Sequence, residues 1–313
     1  MLTQELETRQ AGAVTYARPS QGTTQGSAPD PIQGTASKGT TMSDGTTKFL
    51  CVDGGTLAYD DRGTGPLVIL MPGLGDLRQE YRFLAKDLVA AGYRAVSVDL
   101  RGHGESSVGW TDYSRKAAGA DLLALIDVLG AGPATIVGNS FAAAPAVWAA
   151  VTRPEAVEGL VLVGPFVLPQ PAKPMMQALM RVLFSGPWKV AAWNAYFGTL
   201  FPTRKPADFR SYRAALRANL AEPGRFEAVK AMMLSSEPDI AQRAAEVTTP
   251  TLVVMGSKDP DFGDPADEAR RLADALRGDV VMIDGAGHYP HSEMPEATSA
   301  PILTFLERVR RAS

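Results

Sequence analysis

Residues 135–142 read Thr135-Ile136-Val137-Gly138-Asn139-Ser140-Phe141-Ala142, followed by the alanine-rich run Ala143-Ala144-Pro145-Ala146. Three β-branched residues in a row suit a strand, and the alanines suit a helix. Pro145 falls in the first turn of that helix, where a missing N–H costs little. Ser140 therefore stands at a sharp turn from strand to helix. A serine hydroxyl is a weak nucleophile until a base takes its proton. Such a turn exposes Oγ and places the next amide at a helix N-terminus. It also crowds the residues two before and two after the serine, and Gly138 and Ala142 are both small. The pentapeptide alone equally fits a serine that caps a helix after a buried strand, so its surroundings have to separate the two.

On either side of this turn, short apolar runs alternate with helical segments. Residues 67–71, 95–98, 160–163, 252–255 and 280–283 read as strands covered on both faces. Residues 48–52 and 56–60 read as two more, joined by the turn Asp53-Gly54-Gly55. In the clearest helix, Ala118, Leu122, Leu125, Ile126 and Leu129 mark one face. The expected fold class is α/β, a mainly parallel eight-stranded sheet flanked by helices. Reactive groups should then gather at the carboxyl ends of the strands.

Residues 168–245 break the alternation. They hold helical stretches and no strand, and they carry Met175, Met176, Met180, Phe184, Trp188, Trp193, Tyr196 and Phe197. They are expected to form a helical cap inserted after the sixth strand, leaving 46–167 and 246–313 as the core domain. Residues 1–45 are rich in Gly, Thr, Ser, Gln and Pro, cannot bury enough surface to offset their ordering entropy, and are expected to be disordered. Met42, just before the first patterned segment, is an alternative start site that N-terminal sequencing of natively expressed protein would test.

A net charge of −3 gives no electrostatic reason to expect nucleic acid as a partner. A membrane span needs about 20 apolar residues in a row, and the best candidate, residues 159–169, is much shorter. The single cysteine, Cys51, excludes an internal disulfide and argues against a cysteine-ligated metal site. Residues 1–20 carry Glu5, Glu7, Arg9 and Arg18 without a continuous apolar core, unlike a secretory signal. The cytoplasm is the expected compartment, and the oligomeric state is open.

Four further segments follow strands. They are Pro72-Gly73-Leu74-Gly75-Asp76, Asp99-Leu100-Arg101-Gly102-His103-Gly104-Glu105-Ser106, Gly256-Ser257-Lys258-Asp259 and Asp284-Gly285-Ala286-Gly287-His288-Tyr289-Pro290. With the turn at Ser140, they resemble the α/β-hydrolase superfamily, in particular its serine esterase-like members. Gly138-Asn139-Ser140-Phe141-Ala142 is similar to the G-x-S-x-G nucleophile elbow, with Ala142 for the last glycine. Pro72-Gly73 stands where the family usually has His-Gly. Residues 99–106 are similar to the family's D-x-R-G-x-G-x-S segment. The likeness runs from roughly residue 50 to 306 and is weakest in the cap.

The resemblance implies Ser140 as nucleophile, His288 as base and Asp259 as the acid that orients it, in the family's chain order. Asp261 and Asp264 lie close by and remain rivals to Asp259, whereas residues 164–173 after the sixth strand contain no carboxylate. It also implies backbone N–H donors at Leu74 and Phe141 for the oxyanion, where losing one donor typically costs about 3–4 kcal/mol. His103 is expected to be structural, and His291 a surface or site-edge residue. The implied activity is hydrolysis of a carboxylic ester of a small, apolar substrate through an acyl-enzyme, with no metal or organic cofactor. Perhydrolysis, lactone hydrolysis, carbon–carbon bond hydrolysis, cyanohydrin cleavage and acyl transfer use the same serine chemistry. A ligand-binding receptor of this fold with slow or vestigial hydrolysis is the alternative from another class.

Overall fold

The computed structural model describes residues 47–52, 54–169, 182 and 184–312. The expectations for residues 1–45, Asp53, Met175, Met176 and Met180 fall outside the described residues. Among the described residues, eight strands form one sheet: β1 (Lys48–Val52), β2 (Gly55–Arg62), β3 (Leu67–Met71), β4 (Arg94–Val98), β5 (Ala134–Asn139), β6 (Val157–Val163), β7 (Thr251–Gly256) and β8 (Asp279–Ile283). Their order across the sheet is β1-β2-β4-β3-β5-β6-β7-β8. The pairs β1–β2 and β2–β4 are antiparallel and all others parallel. The eight-stranded, mainly parallel α/β sheet expected from the apolar runs is the one observed.

The apolar runs are continuous because both faces of the sheet are covered. Leu67, Ile69 and Met71 of β3 point to one core, together with Ile136, Leu160, Leu162, Val253 and Met255. Val68 and Leu70 point to the other, with Val137, Val161, Val163, Leu252 and Val254. Helices α1 (Arg82–Ala90), α2 (Arg115–Leu129) and α3 (Ala143–Thr152) lie between the early strands. Helices α4 (Lys189–Thr199), α5 (Phe209–Leu220), α6 (Arg225–Leu234) and α7 (Pro238–Gln242) lie between β6 and β7. Helices α8 (Pro265–Leu276), α9 (Pro290–Glu293) and α10 (Pro295–Ala312) complete the described set. Leu122 and Ile126 of α2, Val147 of α3 and Leu272 of α8 cover the first face, and Leu84 of α1 and Phe305 of α10 cover the second. Each fully buried Val, Leu or Ile contributes roughly 1.5–3 kcal/mol.

Local signals set where α2 begins and ends. The Ser114 hydroxyl accepts the Ala117 N–H at 3.1 Å, and Gly130 closes the helix in the left-handed region at φ 58°. The helices between β6 and β7 have a core of their own, built from Phe184, Trp193, Phe197, Phe201, Tyr212, Leu216 and Phe226. Leu77 and Tyr289 from the sheet domain complete that cluster, so these helices rest on the loops at the carboxyl ends of β3 and β8. Trp188 is half exposed. Among the described residues, no helix is long and apolar enough to cross a membrane.

Candidate active site

Strand β5 ends at Asn139, and Ser140 then takes φ +55°. Only Ser140 and Arg277 among the described non-glycine residues have positive φ. That conformation costs of order 1–3 kcal/mol and persists only where packing holds it. The holding contacts are visible. A Cβ on Gly138 would lie 2.7 Å from the Ala142 carbonyl oxygen, so the turn can close only over a glycine. Asn139 is buried and donates from Nδ2 to the carbonyls of Val163 (3.1 Å) and His288 (3.2 Å), tying the turn to β6 and to the histidine loop.

His288 follows β8, and Asp259 follows β7. His288 Nδ1 lies 2.7 Å from Asp259 Oδ2, with both side chains buried. Asp261 Oδ2 is farther from the same nitrogen, at 3.7 Å, and both Asp261 oxygens accept from the Tyr196 hydroxyl of α4 at 2.8 and 2.7 Å. Asp264 points elsewhere: it caps α8 by accepting the Asp267 N–H at 2.9 Å. The loop carrying His288 is clamped on both sides. Its own N–H donates to the Leu200 carbonyl at 3.0 Å. The neighbouring Gly287 N–H donates to Glu293 at 2.7 Å, and Glu293 also accepts from the amides of Thr203 and Arg204. Burial alone would lower the His288 pKa, but the carboxylates of Asp259 and then Asp261 outweigh it and hold the pKa above the ordinary imidazole value. Asp261 is raised, mainly by burial.

Asp259, Asp261 and His288 offer ligand atoms within 4.8 Å of one another, a spacing that a metal ion can bridge. The 2.7 Å contact between His288 and Asp259 is a hydrogen-bond distance, so Nδ1 is already committed to the carboxylate rather than presented to a cation.

The loop after β3 lies against the serine: a Cβ on Gly73 would come within 3.3 Å of Ser140 Cβ. Its amides are assigned one by one. Gly73 N–H donates to Glu80 Oε2 at 2.9 Å, Gly75 N–H to His103 Nε2 at 3.0 Å, and Asp76 N–H to the Gly73 carbonyl at 3.2 Å. Leu74 sits between these tethers. Because His103 Nε2 accepts, its proton is on Nδ1, 2.8 Å from the Arg101 carbonyl. Burial lowers its pKa to about 4, so it stays neutral and props the loop.

His291 departs from expectation. It is fully buried rather than at the surface, stacked on Tyr81 with ring centroids 4.8 Å apart. Its Nε2 lies 2.9 Å from Glu80 Oε1. The cause is tertiary: α9 packs against the segment that starts α1, and Ser292 donates to the carbonyl of Glu80, 212 residues away in the chain. Burial raises the Glu80 pKa to about 8 and lowers that of His291 to about 3. Burial thus favours a protonated carboxyl on Glu80 beside a neutral imidazole on His291. Sequence reading missed Glu80 and Tyr196, because neither has a partner within its own motif.

A cavity of about 650 Å³ opens over the turn. Ser140 and His288 line it together with Leu74, Phe141, Phe166 and Trp193.

Residues 68–300 match the Alpha/beta hydrolase family. The chain belongs to that family. This α/β-hydrolase is similar to the 2-(acetamidomethylene)succinate hydrolase of Mesorhizobium japonicum, 28% identical over 272 residues that cover 80% of this chain and 92% of the relative. It is also similar to a 2-hydroxy-6-oxononadienedioate/2-hydroxy-6-oxononatrienedioate hydrolase of Burkholderia vietnamiensis, 29% identical over 293 residues that cover 84% and 96% of the two chains. The crystal structure of bromoperoxidase from Bacillus anthracis matches with a TM-score of 0.74 at 20% identity, over 84% of this chain and 100% of that one. At that identity the likeness speaks to the fold. At the general level that family and relatives support, the α/β-hydrolase is a hydrolytic enzyme.

Proposed function

We propose that the protein hydrolyses a carboxylic ester with Ser140 as nucleophile, His288 as general base and acid, and Asp259 as the group that orients His288. The observation that carries this reading is that His288, held 2.7 Å from Asp259, lines the same cavity as a serine at φ +55°. With Nδ1 held by Asp259, Nε2 is the nitrogen left for proton exchange. His288 takes the Ser140 proton as Oγ attacks the carbonyl carbon, and the amides of Leu74 and Phe141 receive the negative charge on oxygen. The alcohol leaves with the proton from His288. Water then gives a proton to His288, attacks the acyl carbon and releases the acid, and the proton returns to Ser140. Residues 168–245 act as a cap over a core formed by 46–167 and 246–313. Phe141, Phe166 and Trp193 favour an apolar chain next to the reacting carbonyl.

The test is release of p-nitrophenol from short and medium acyl esters. The wild type is expected to turn over, and Ser140→Ala to fall to background. Turnover that survives in Ser140→Ala would sink the assignment. A weak wild-type rate together with tight retention of the ester would favour a receptor.

A further inference from the structure

Arg115 opens α2 and lines the cavity that holds Ser140, with its guanidinium 5.0 Å from the centroid of the Phe141 ring. Its side chain is 22% exposed. Only Nη1 is engaged: it donates to the Ser235 carbonyl at 2.9 Å, to the Ser235 hydroxyl at 3.4 Å and to Glu237 Oε2 at 3.2 Å. Among the described residues, nothing accepts from Nε or Nη2. Other sheltered arginines of this chain behave differently. Arg82, Arg94 and Arg101 each spend the Nε/Nη2 edge on both oxygens of one aspartate, namely Asp208, Asp61 and Asp121. That edge is the planar fork that matches a carboxylate bidentately. In Arg115 that edge has no acceptor among the described residues, and the residue lines the cavity beside Phe141.

We propose that the Nε/Nη2 edge of Arg115 binds a carboxylate at the far end of the acyl chain, so that the preferred substrates are half-esters of dicarboxylic acids. This rests on the ester-hydrolase reading above. Leu74, Phe166 and Trp193 then accommodate the methylene stem, and Arg115 reads its end. Glu237 does not compete for the site, because its carboxylate is bound on the Nη1 side and helps hold the guanidinium in place. A clip that only fastened α2 to the segment before α7 would treat charged and neutral acyl chains alike.

The experiment compares mono-p-nitrophenyl adipate and suberate with their ω-methyl esters, which have the same chain without the charge. The wild type is expected to favour the free acids in kcat/KM by about tenfold to a hundredfold, the range for a hydrogen bond to a charged group, mostly through KM. Arg115→Met is expected to bring the ratio of acid to methyl ester near one, and Arg115→Lys to leave an intermediate ratio. A wild-type ratio at or below one, or a wild-type ratio kept by Arg115→Met, overturns the proposal while ester cleavage itself stands. No release from any of the four esters would instead overturn the ester-hydrolase reading.

Discussion

His288 directs Nδ1 at Asp259 Oδ2 across 2.7 Å, and the other oxygen of Asp259 accepts the backbone N–H of Asp261 at 3.0 Å. The two aspartates are thus unequal. Asp259 is fixed by the chain and bonded to the imidazole, whereas Asp261 is 3.7 Å away and bonded to Tyr196. Asp259→Asn is expected to lower kcat by roughly 10⁴, as a wrong tautomer does in another triad. Asp261→Asn should cost far less. Steady-state kinetics of the two variants decide it, and a larger loss in Asp261→Asn would move the orienting role to that residue.

The pH profile carries a second expectation. In the proposed mechanism His288 has to be neutral to accept a proton from Ser140, and its pKa is held up by Asp259 and Asp261. Activity should therefore rise with pH along an acid limb that lies above the ordinary imidazole range. Removing one raising charge in Asp261→Asn should move that limb to lower pH. A limb that stays in place, measured as kcat/KM against pH, would separate Asp261 from the titration of His288.

Glu80 accepts the Gly73 N–H of the loop after β3, and burial raises its pKa to about 8. A carboxyl with a raised folded-state pKa stabilises the fold fully below its unfolded value, and that contribution is lost as pH rises through about 8. Glu80→Gln keeps an acceptor for Gly73 and removes the titrating proton. It should keep most of the activity and flatten the loss of stability towards alkaline pH. Glu80→Ala leaves a buried amide unpaired and should cost about 1–3 kcal/mol together with much of kcat. Urea midpoints across the pH range, with kcat alongside, test both. Equal behaviour of the two variants would contradict the protonated-carboxyl arrangement.

At the elbow, Gly138→Ala places a methyl group 2.7 Å from a backbone oxygen that cannot move aside alone. Overpacking of this kind costs about 1–3 kcal/mol, and here it also opens the turn that presents Ser140. A fall in Tm with a larger proportional fall in kcat is expected. A variant with wild-type kcat would show that the tight turn is not needed to present the hydroxyl.

Much of this molecule is legible in its residues taken in order. Leu67–Met71 and the other apolar runs reveal doubly covered strands, because burial on both faces leaves no polar position. Gly138 and Ala142 reveal the turn at Ser140, because steric crowding there is local. His288 and Asp259 are legible only through the resemblance of their loops to the family's motifs. The resemblance favoured Asp259 and left Asp261 a rival, since both are near in sequence; in the packed loop Asp259 lies 2.7 Å from the imidazole and Asp261 3.7 Å.

The short-range instructions of the sequence, period, turn chemistry and residue size, determined the sheet and the turn at Ser140, and the resemblance to a family supplied the candidate triad. Tertiary structure alone decided that His291 is buried beside Glu80, that Tyr196 holds Asp261, and that one edge of Arg115 finds no acceptor among the described residues. The reason is physical. Torsional and burial preferences act over a few neighbouring residues and leave a pattern there. A hydrogen bond between residues 65 or 212 positions apart, such as Tyr196 with Asp261 or Ser292 with Glu80, exists only once the strands between them have paired and brought their loops to one edge of the sheet.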